Sequence, residues 1–206
     1  MAKEIERKWL VNDLTVAIAH STNATLIAQA YLNAGGCFVR VLTETMSIIN
    51  IQGHYEELWL GVYIPTKDAE EILLHDNSTL TYRIRRSGKT DAFITIKGRS
   101  TDDGLSRDEW EYPISLELYR DLVSSLQLAE LTKYRHFVPF GDLTIEVDEF
   151  RGHNTGLVVA EIEFPEGYDM PTTMDWPEWF GREVTGVVKY YNSMLLKWPF
   201  TTWAKD

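Results

Sequence analysis

The sequence predicts an α+β domain built on an antiparallel sheet, and three observations carry that expectation. Apolar and polar residues alternate, as in half-buried strands, through residues 4–11, 80–86, 92–98, 106–114, 131–138, 143–150 and 157–164. Breaks rich in Gly, Asp and Ser separate several of these runs, at Ser87-Gly88-Lys89, Asp102-Asp103-Gly104 and Phe140-Gly141-Asp142. Helical spacing is confined to three stretches, so most strands follow one another directly, which favours an antiparallel sheet over alternating βαβ units.

Each element has its own pattern. Residues 115–129 place Leu116, Tyr119, Leu122, Val123 and Leu126 at steps of three and four after Pro113, which predicts a helix. Residues 183–197 do the same with Val184, Val187, Val188, Tyr191, Leu195 and Leu196, and Pro199 stops the run. A shorter amphipathic piece, 66–75, lies between Pro65 and Asp76-Asn77. Between about 33 and 78 the alternation is blurred; 38–42, 47–51 and 58–64 are candidate strands of an elaboration on the main sheet. No repeat, low-complexity tract or Pro/Gly/Ser-rich linker interrupts the chain, which reads as one domain over 1–206.

Composition excludes several classes. The 206 residues are 44% hydrophobic and 25% charged, enough apolar material for a buried core and unlike a disordered chain. A single cysteine, Cys37, rules out an intramolecular disulfide framework or a four-cysteine zinc site. The sequence opens on Lys3, Glu4, Glu6, Arg7 and Lys8 rather than on the apolar core of a signal peptide, and no stretch approaches the roughly 20 apolar residues of a membrane span. The expectation is a soluble cytoplasmic protein. A net charge of -11 argues against nonspecific binding to nucleic acid or an anionic membrane surface.

The strands share an unusual feature. Residues two apart point to one side of a strand, so Glu4, Glu6 and Lys8 oppose Ile5 and Trp9, and Arg83 and Arg85 oppose Tyr82 and Ile84. Lys97 opposes Ile94 and Ile96, while Arg107, Glu109 and Glu111 oppose Trp110 and Tyr112. The pattern repeats in Lys133 with Arg135, Glu146 with Asp148, and Glu161 with Glu163. A single charged face marks a solvated sheet surface; repeated on seven strands and made of long acids and bases, it marks something else. About eight strands suffice to close a barrel that encloses side chains or one small ligand. Charges turned into such a barrel need counterions, because unpaired buried charge is costly. Glu-x-Glu pairs are hard oxygen donors suited to Mg²⁺ or Mn²⁺, and Arg and Lys grip phosphate oxygens. A compact, highly charged anion such as a triphosphate matches both sets.

These residues also carry a family resemblance. The opening Glu4-Ile5-Glu6-Arg7-Lys8 resembles the Glu-x-Glu-x-Lys signature of the CYTH superfamily, the triphosphate tunnel metalloenzymes. The similarity continues in order through Gln29-Ala30-Tyr31-Leu32, Tyr82-Arg83-Ile84-Arg85, Ile94-Thr95-Ile96-Lys97, Arg107-Asp108-Glu109-Trp110-Glu111, Lys133-Tyr134-Arg135, residues 145–150 and residues 156–163. The tail from Pro177 to Thr185, with Tyr190, Tyr191 and Asn192, resembles the short bacterial members. The stretch between Leu32 and Leu80 departs from the pattern, being some tens of residues longer than the usual connection. Its Phe38-Val39-Arg40-Val41 competes as an arginine strand, and the hairpin spacing from Arg85 to Lys97 favours Tyr82-Arg83-Ile84-Arg85.

The resemblance implies an eight-stranded antiparallel β-barrel with helices packed outside and triphosphate bound within. It implies that Lys8, Arg83, Arg85, Lys97, Arg107, Lys133 and Arg135 hold phosphates. Glu4, Glu6, Glu109, Glu111, Asp148, Glu161 and Glu163 would form the metal shell, with Glu146 a weaker candidate, and Glu4, Glu6 and Lys8 would be catalytic. Two Mg²⁺ or Mn²⁺ ions are implied, one orienting the triphosphate and one activating water. Inorganic tripolyphosphate hydrolysis is the expected activity. The alternatives are a class IV-type adenylate cyclase, a thiamine or nucleoside triphosphatase, and a non-catalytic nucleotide or polyphosphate binding module. The sequence does not choose between monomer and homodimer. No P-loop is present, the histidines lack metal-ligand spacing, and Cys37 reads as a buried neutral thiol.

Overall fold

The computed structural model describes residues 2–52, 59–101, 105–165, 167–168 and 175–204, with the side chains of residues 2–4, 59 and 60 outside that description. Twelve strands are described: β1 (Ala2–Val11), β2 (Asn23–Leu32), β3 (Cys37–Val41), β4 (Met46–Gln52), β5 (Trp59–Pro65), β6 (Thr81–Ser87), β7 (Asp91–Lys97), β8 (Ser106–Ile114), β9 (Leu131–Phe140), β10 (Leu143–Phe150), β11 (Val158–Glu163) and β12 (Phe180–Glu183). The helices are α1 (Leu14–Ile18), α2 (Thr66–Ile72), α3 (Leu116–Ser125) and α4 (Asn192–Lys197).

The main sheet has the order β11-β10-β9-β2-β6-β7-β8-β1-β12, and β1 also pairs with β11. That pairing, in the register Glu6↔Glu163, Lys8↔Glu161 and Leu10↔Val159, closes an eight-stranded antiparallel barrel and leaves β12 as an extra strand on β1. The 33–78 elaboration forms its own antiparallel sheet, β3-β4-β5, followed by α2. Arg40 is thus exposed on β3, while Arg83 and Arg85 lie on β6 beside β7.

The chain divides into two compact units. The first holds residues 28–99 and 108–130. Its core joins the outward faces of β6, β7 and β8, through Tyr82, Ile84, Ile94, Ile96 and Trp110, to Ile49, Ile51, Val62, Ile64, Ala69 and Ile72 of the elaboration and to Tyr119 and Leu122 of α3. Ser115 caps α3 by accepting from the Leu118 amide, and Leu126 closes its last turn. The elaboration is therefore part of this core. Asn77 strengthens the join: its amide donates to the carbonyls of Ala34 and Cys37, and it accepts from the Tyr82 hydroxyl at 2.8 Å.

The second unit holds residues 3–27, 100–107 and 131–206. One apolar cluster packs Trp9, Val138, Ile145, Val147, Ala160 and Ile162 from β1, β9, β10 and β11. Trp176 and Phe180 stack near Trp9 with ring centroids 4.7 and 4.6 Å away. A second cluster gathers Leu131, Phe150, Leu157 and Val159 with Val184, Tyr190 and Leu195 of the C-terminal segment.

The helix expected over 183–197 is not formed as such. Glu183 ends β12, paired with Trp9, and the Val184 amide donates to the Lys8 carbonyl. Gly186 then takes a φ of +69°, a 3-10 turn covers Val188–Tyr190, and only Asn192–Lys197 is α-helical. The valines at helical spacing are better satisfied by extending the ladder and burying Val184 than by coiling, in keeping with their stiff β-branched side chains. Helix α1, capped by Asp13, was too short to show a periodic pattern.

Candidate active site

The charged strand faces form two clusters, one in each unit. In the second unit, registers place Lys8 opposite Glu161, Glu6 opposite Glu163, Glu146 opposite Glu161, and Asp148 opposite Arg135, all on one face. Arg135 is the hub. Its guanidinium donates to Asp148 through Nε and Nη2 at 2.7 Å each, to Glu161 Oε2 at 2.8 Å, and pairs with Glu146. Lys133 donates to Asp148 as well, so both oxygens of that fully buried carboxylate meet bases. Lys8 Nζ lies 2.6 Å from Glu161 and 3.1 Å from Glu6, and Arg107 lies 3.5 Å from Glu6.

The electrostatics follow from burial and neighbours. Burial pushes the Glu161 carboxyl upward, but Lys8, Lys133 and Arg135 together hold it well below the usual range. Burial would lower Lys8, yet attraction to Glu161 and Glu6 holds its ammonium above the ordinary value. Lys133 is displaced downward by burial and by repulsion from Arg135, which Asp148 and Glu161 only partly offset. Its position explains this: opposite Phe150, with Nζ 5.5 Å from that ring, it stands where the charged face gives way to the apolar cluster of Leu131, Phe150 and Val159.

In the first unit, register puts Arg83, Thr95 and Glu111 in one row and Lys97 opposite Glu109. Arg83 donates to Thr95 Oγ1 at 3.0 Å, and Thr95 donates to Glu111 at 2.9 Å. Arg85 reaches both oxygens of Glu111 at 2.9 and 3.0 Å, and Lys97 lies 2.6 Å from Glu109. Arg83 Nε is buried with no hydrogen-bond partner among the described residues, an orphan donor that an anion would satisfy.

Of the residues read from sequence, Glu6, Lys8, Arg107, Lys133, Arg135, Glu146, Asp148 and Glu161 meet in one cluster, with Glu163 placed on the same face by register. Arg83, Arg85, Lys97, Glu109 and Glu111 meet in the other. Glu4 lies on β1 with its side chain outside the described part. Thr95, quoted in sequence only as part of its strand, joins the first-unit cluster, and Gln29 with Tyr31 forms a further polar pair on β2. Gln29 is 1% exposed and donates to Tyr31 Oη at 2.9 Å. Their signal was a pair of polar side chains two apart between buried alanines, Ala28 and Ala30.

A family model for the CYTH domain matches residues 62–191. The chain belongs to the CYTH family. It is 43% identical over 109 residues to a protein named inorganic triphosphatase from Acetivibrio thermocellus, covering 52% of this chain and 67% of that relative. A second inorganic triphosphatase, from Nitrosomonas europaea, is 34% identical over 119 residues, covering 57% and 75%. The crystal structure of the inorganic triphosphatase NE1496 superposes with a TM-score of 0.54 and 25% identity, covering 95% of each chain. The CYTH match spans β6 to β11, the strands that carry most of the charged rows described above.

The donor set of this CYTH chain fits a hard divalent cation. Glu6 stands directly opposite Glu163, and Glu146 directly opposite Glu161. Like charges facing across a ladder are ordinarily unfavourable. Here Lys8 and Arg107 at Glu6, and Lys8 and Arg135 at Glu161, offset that repulsion. Among the described residues no three acids converge as a ready-made cage. Carboxylate oxygens are the ligands Mg²⁺ and Mn²⁺ accept, usually with water and substrate phosphate completing the shell.

Proposed function

We propose that this chain is a divalent-metal-dependent triphosphatase acting on inorganic tripolyphosphate, working as one catalytic domain over residues 1–206 in the cytoplasm. Interleaving of carboxylates with Arg and Lys on the same strand faces carries the proposal, because only a polyanion accompanied by cations uses both sets. The relatives named inorganic triphosphatase support the substrate. Among the described residues no helix is long and apolar enough to cross a membrane.

In this mechanism phosphate oxygens take the place of carboxylates on the bases. Arg83, Arg85 and Lys97 in the first unit, and Lys8, Arg107, Lys133 and Arg135 in the second, are the bases proposed to bind phosphate. Arg83 Nε gains the acceptor it lacks. The carboxylates so released, Glu6, Glu161, Glu163, Glu109 and Glu111 with Glu4, are the residues that would hold Mg²⁺ or Mn²⁺. Held there, a divalent ion would neutralise triphosphate charge and acidify a water. Asp148, which the resemblance placed in the metal shell, is held by Lys133 and Arg135 and would instead fix both donors before substrate arrives, the preorganisation that phosphoryl transfer rewards. Water attacks the terminal phosphorus in line, the phosphoanhydride P–O bond breaks, and phosphate and diphosphate leave.

Incubation with tripolyphosphate, ATP and thiamine triphosphate in excess Mg²⁺, reading phosphate and cyclic nucleotide separately, tests the proposal. Fastest phosphate release from tripolyphosphate is expected. Cyclic nucleotide as the main product would replace it with a cyclase, and tight binding without any product with a binding module.

A further inference from the structure

The elaboration between β2 and β6 has a specific connection to the catalytic strand β8. Helix α2 and the residues after it present Asp68, Glu71 and His75 to the outward face of β8, where Asp108, Trp110 and Tyr112 alternate. The Tyr112 hydroxyl donates to Asp68 at 2.8 Å, Trp110 Nε1 to Glu71 at 3.5 Å, and His75 Nε2 lies 3.5 Å from Asp108. His75 also meets the Trp110 ring edge-on at 5.4 Å. Asp68 and Glu71 lie one turn apart on α2 and His75 follows its C-terminal end, so the three side chains meet alternate residues of β8 in order. The Tyr112 hydroxyl is held in its neutral form by burial and by the bond to Asp68, and so remains a donor.

On the other face of the same strand, between these rungs, stand Glu109 and Glu111, which engage Lys97, Arg85 and Thr95. We infer that the ladder from α2 sets the position of β8 and thereby aims Glu109 and Glu111; Asp68 and Tyr112 are positioning residues for the reaction proposed above, on which this inference rests. Ile72, Ala69 and Ile64 already bury the elaboration in the core of the first unit. Apolar packing thus suffices for attachment, and the polar rungs add direction and register, which apolar contact does not specify.

The test compares the parent protein with Tyr112→Phe/His75→Ala, which removes two rungs and leaves the core residues in place, and with Asp68→Asn, which keeps an acceptor for Tyr112. Amide exchange over residues 108–112 is expected to speed up about tenfold or more in the double variant while β10 is unchanged. The Mg²⁺ concentration for half-maximal tripolyphosphate hydrolysis should rise about threefold or more, since small displacements of catalytic groups are costly; Asp68→Asn should stay within about twofold of the parent on both readouts. Unchanged exchange, or faster exchange with unchanged Mg²⁺ dependence, overturns the inference. A parent protein inactive on every triphosphate overturns the triphosphatase reading instead. Mn²⁺ affinity by isothermal titration then decides the ladder, which predicts weaker binding in the double variant and is contradicted by equal binding.

Discussion

The single guanidinium of Arg135 meets three carboxylates, Glu146, Asp148 and Glu161. Its replacement by Met leaves Asp148, a carboxylate with no exposure, to Lys133 alone. Breaking a buried network in this way costs about 3–5 kcal/mol, so the urea midpoint of Arg135→Met should fall accordingly; a change under about 1 kcal/mol would contradict the network. Glu161 gives a pH signature. Its folded pKa lies well below 4.5, so the stability it contributes is fully present above the unfolded value and is lost as pH falls through the folded one. Glu161→Gln should therefore flatten the stability-versus-pH curve below about pH 4.5, measured by urea unfolding at stepped pH. Cys37, buried and with its thiol pushed up to about 12 by burial, should react with a thiol reagent at pH 8 only after the protein unfolds.

Among the elements, the β1–β12 join is sensitive to added bulk. A Cβ on Gly181 would come within 2.6 Å of Asn12 Oδ1 and 3.1 Å of the Leu10 carbonyl, and Asn12 itself donates to the Phe180 carbonyl. Gly181→Ala should cost about 1–3 kcal/mol, read as a lower thermal midpoint. How legible an element was in sequence depended on how differently its two faces are solvated. Strands β1, β6, β8, β9 and β10 showed themselves because one face is apolar and the other charged, and that same contrast exposed the candidate site. Strand β2 was evident only through its resemblance at Gln29 to Leu32, because Ile27, Ala28, Gln29 and Ala30 are all buried and leave no alternation to read. The three strands of the elaboration were only candidates because their alternation is blurred, and the rungs from α2 and His75 to β8 pair residues some forty positions apart and have no local signature. The 183–197 stretch misled for the opposite reason: its valines have helical spacing, but β1 offered Glu183 and Val184 ladder partners.

For the whole molecule, the net charge of -11 and a polyanionic substrate are reconciled by where the charges sit. The bases predicted for phosphate are gathered on the strand faces beside nearly equal numbers of acids, so most of the acidic excess belongs to the rest of the chain; the cluster of Arg83, Arg85 and Lys97 with Glu109 and Glu111 is already positive, and a divalent ion would tip the other the same way. Ligand that binds only the folded chain raises its thermal midpoint by mass action; tripolyphosphate with Mg²⁺ should do so markedly more than either alone, and an equal shift from inorganic sulfate would argue against a triphosphate-shaped site. In the proposed function Glu6 and its carboxylate neighbours work with a divalent ion on a bound triphosphate. Tripolyphosphate hydrolysis by Glu6→Gln in excess Mg²⁺ tests it most directly: the variant should fold as the parent does and lose at least about a hundredfold in rate, whereas a near-parental rate would contradict the metal assignment at the heart of the proposed function.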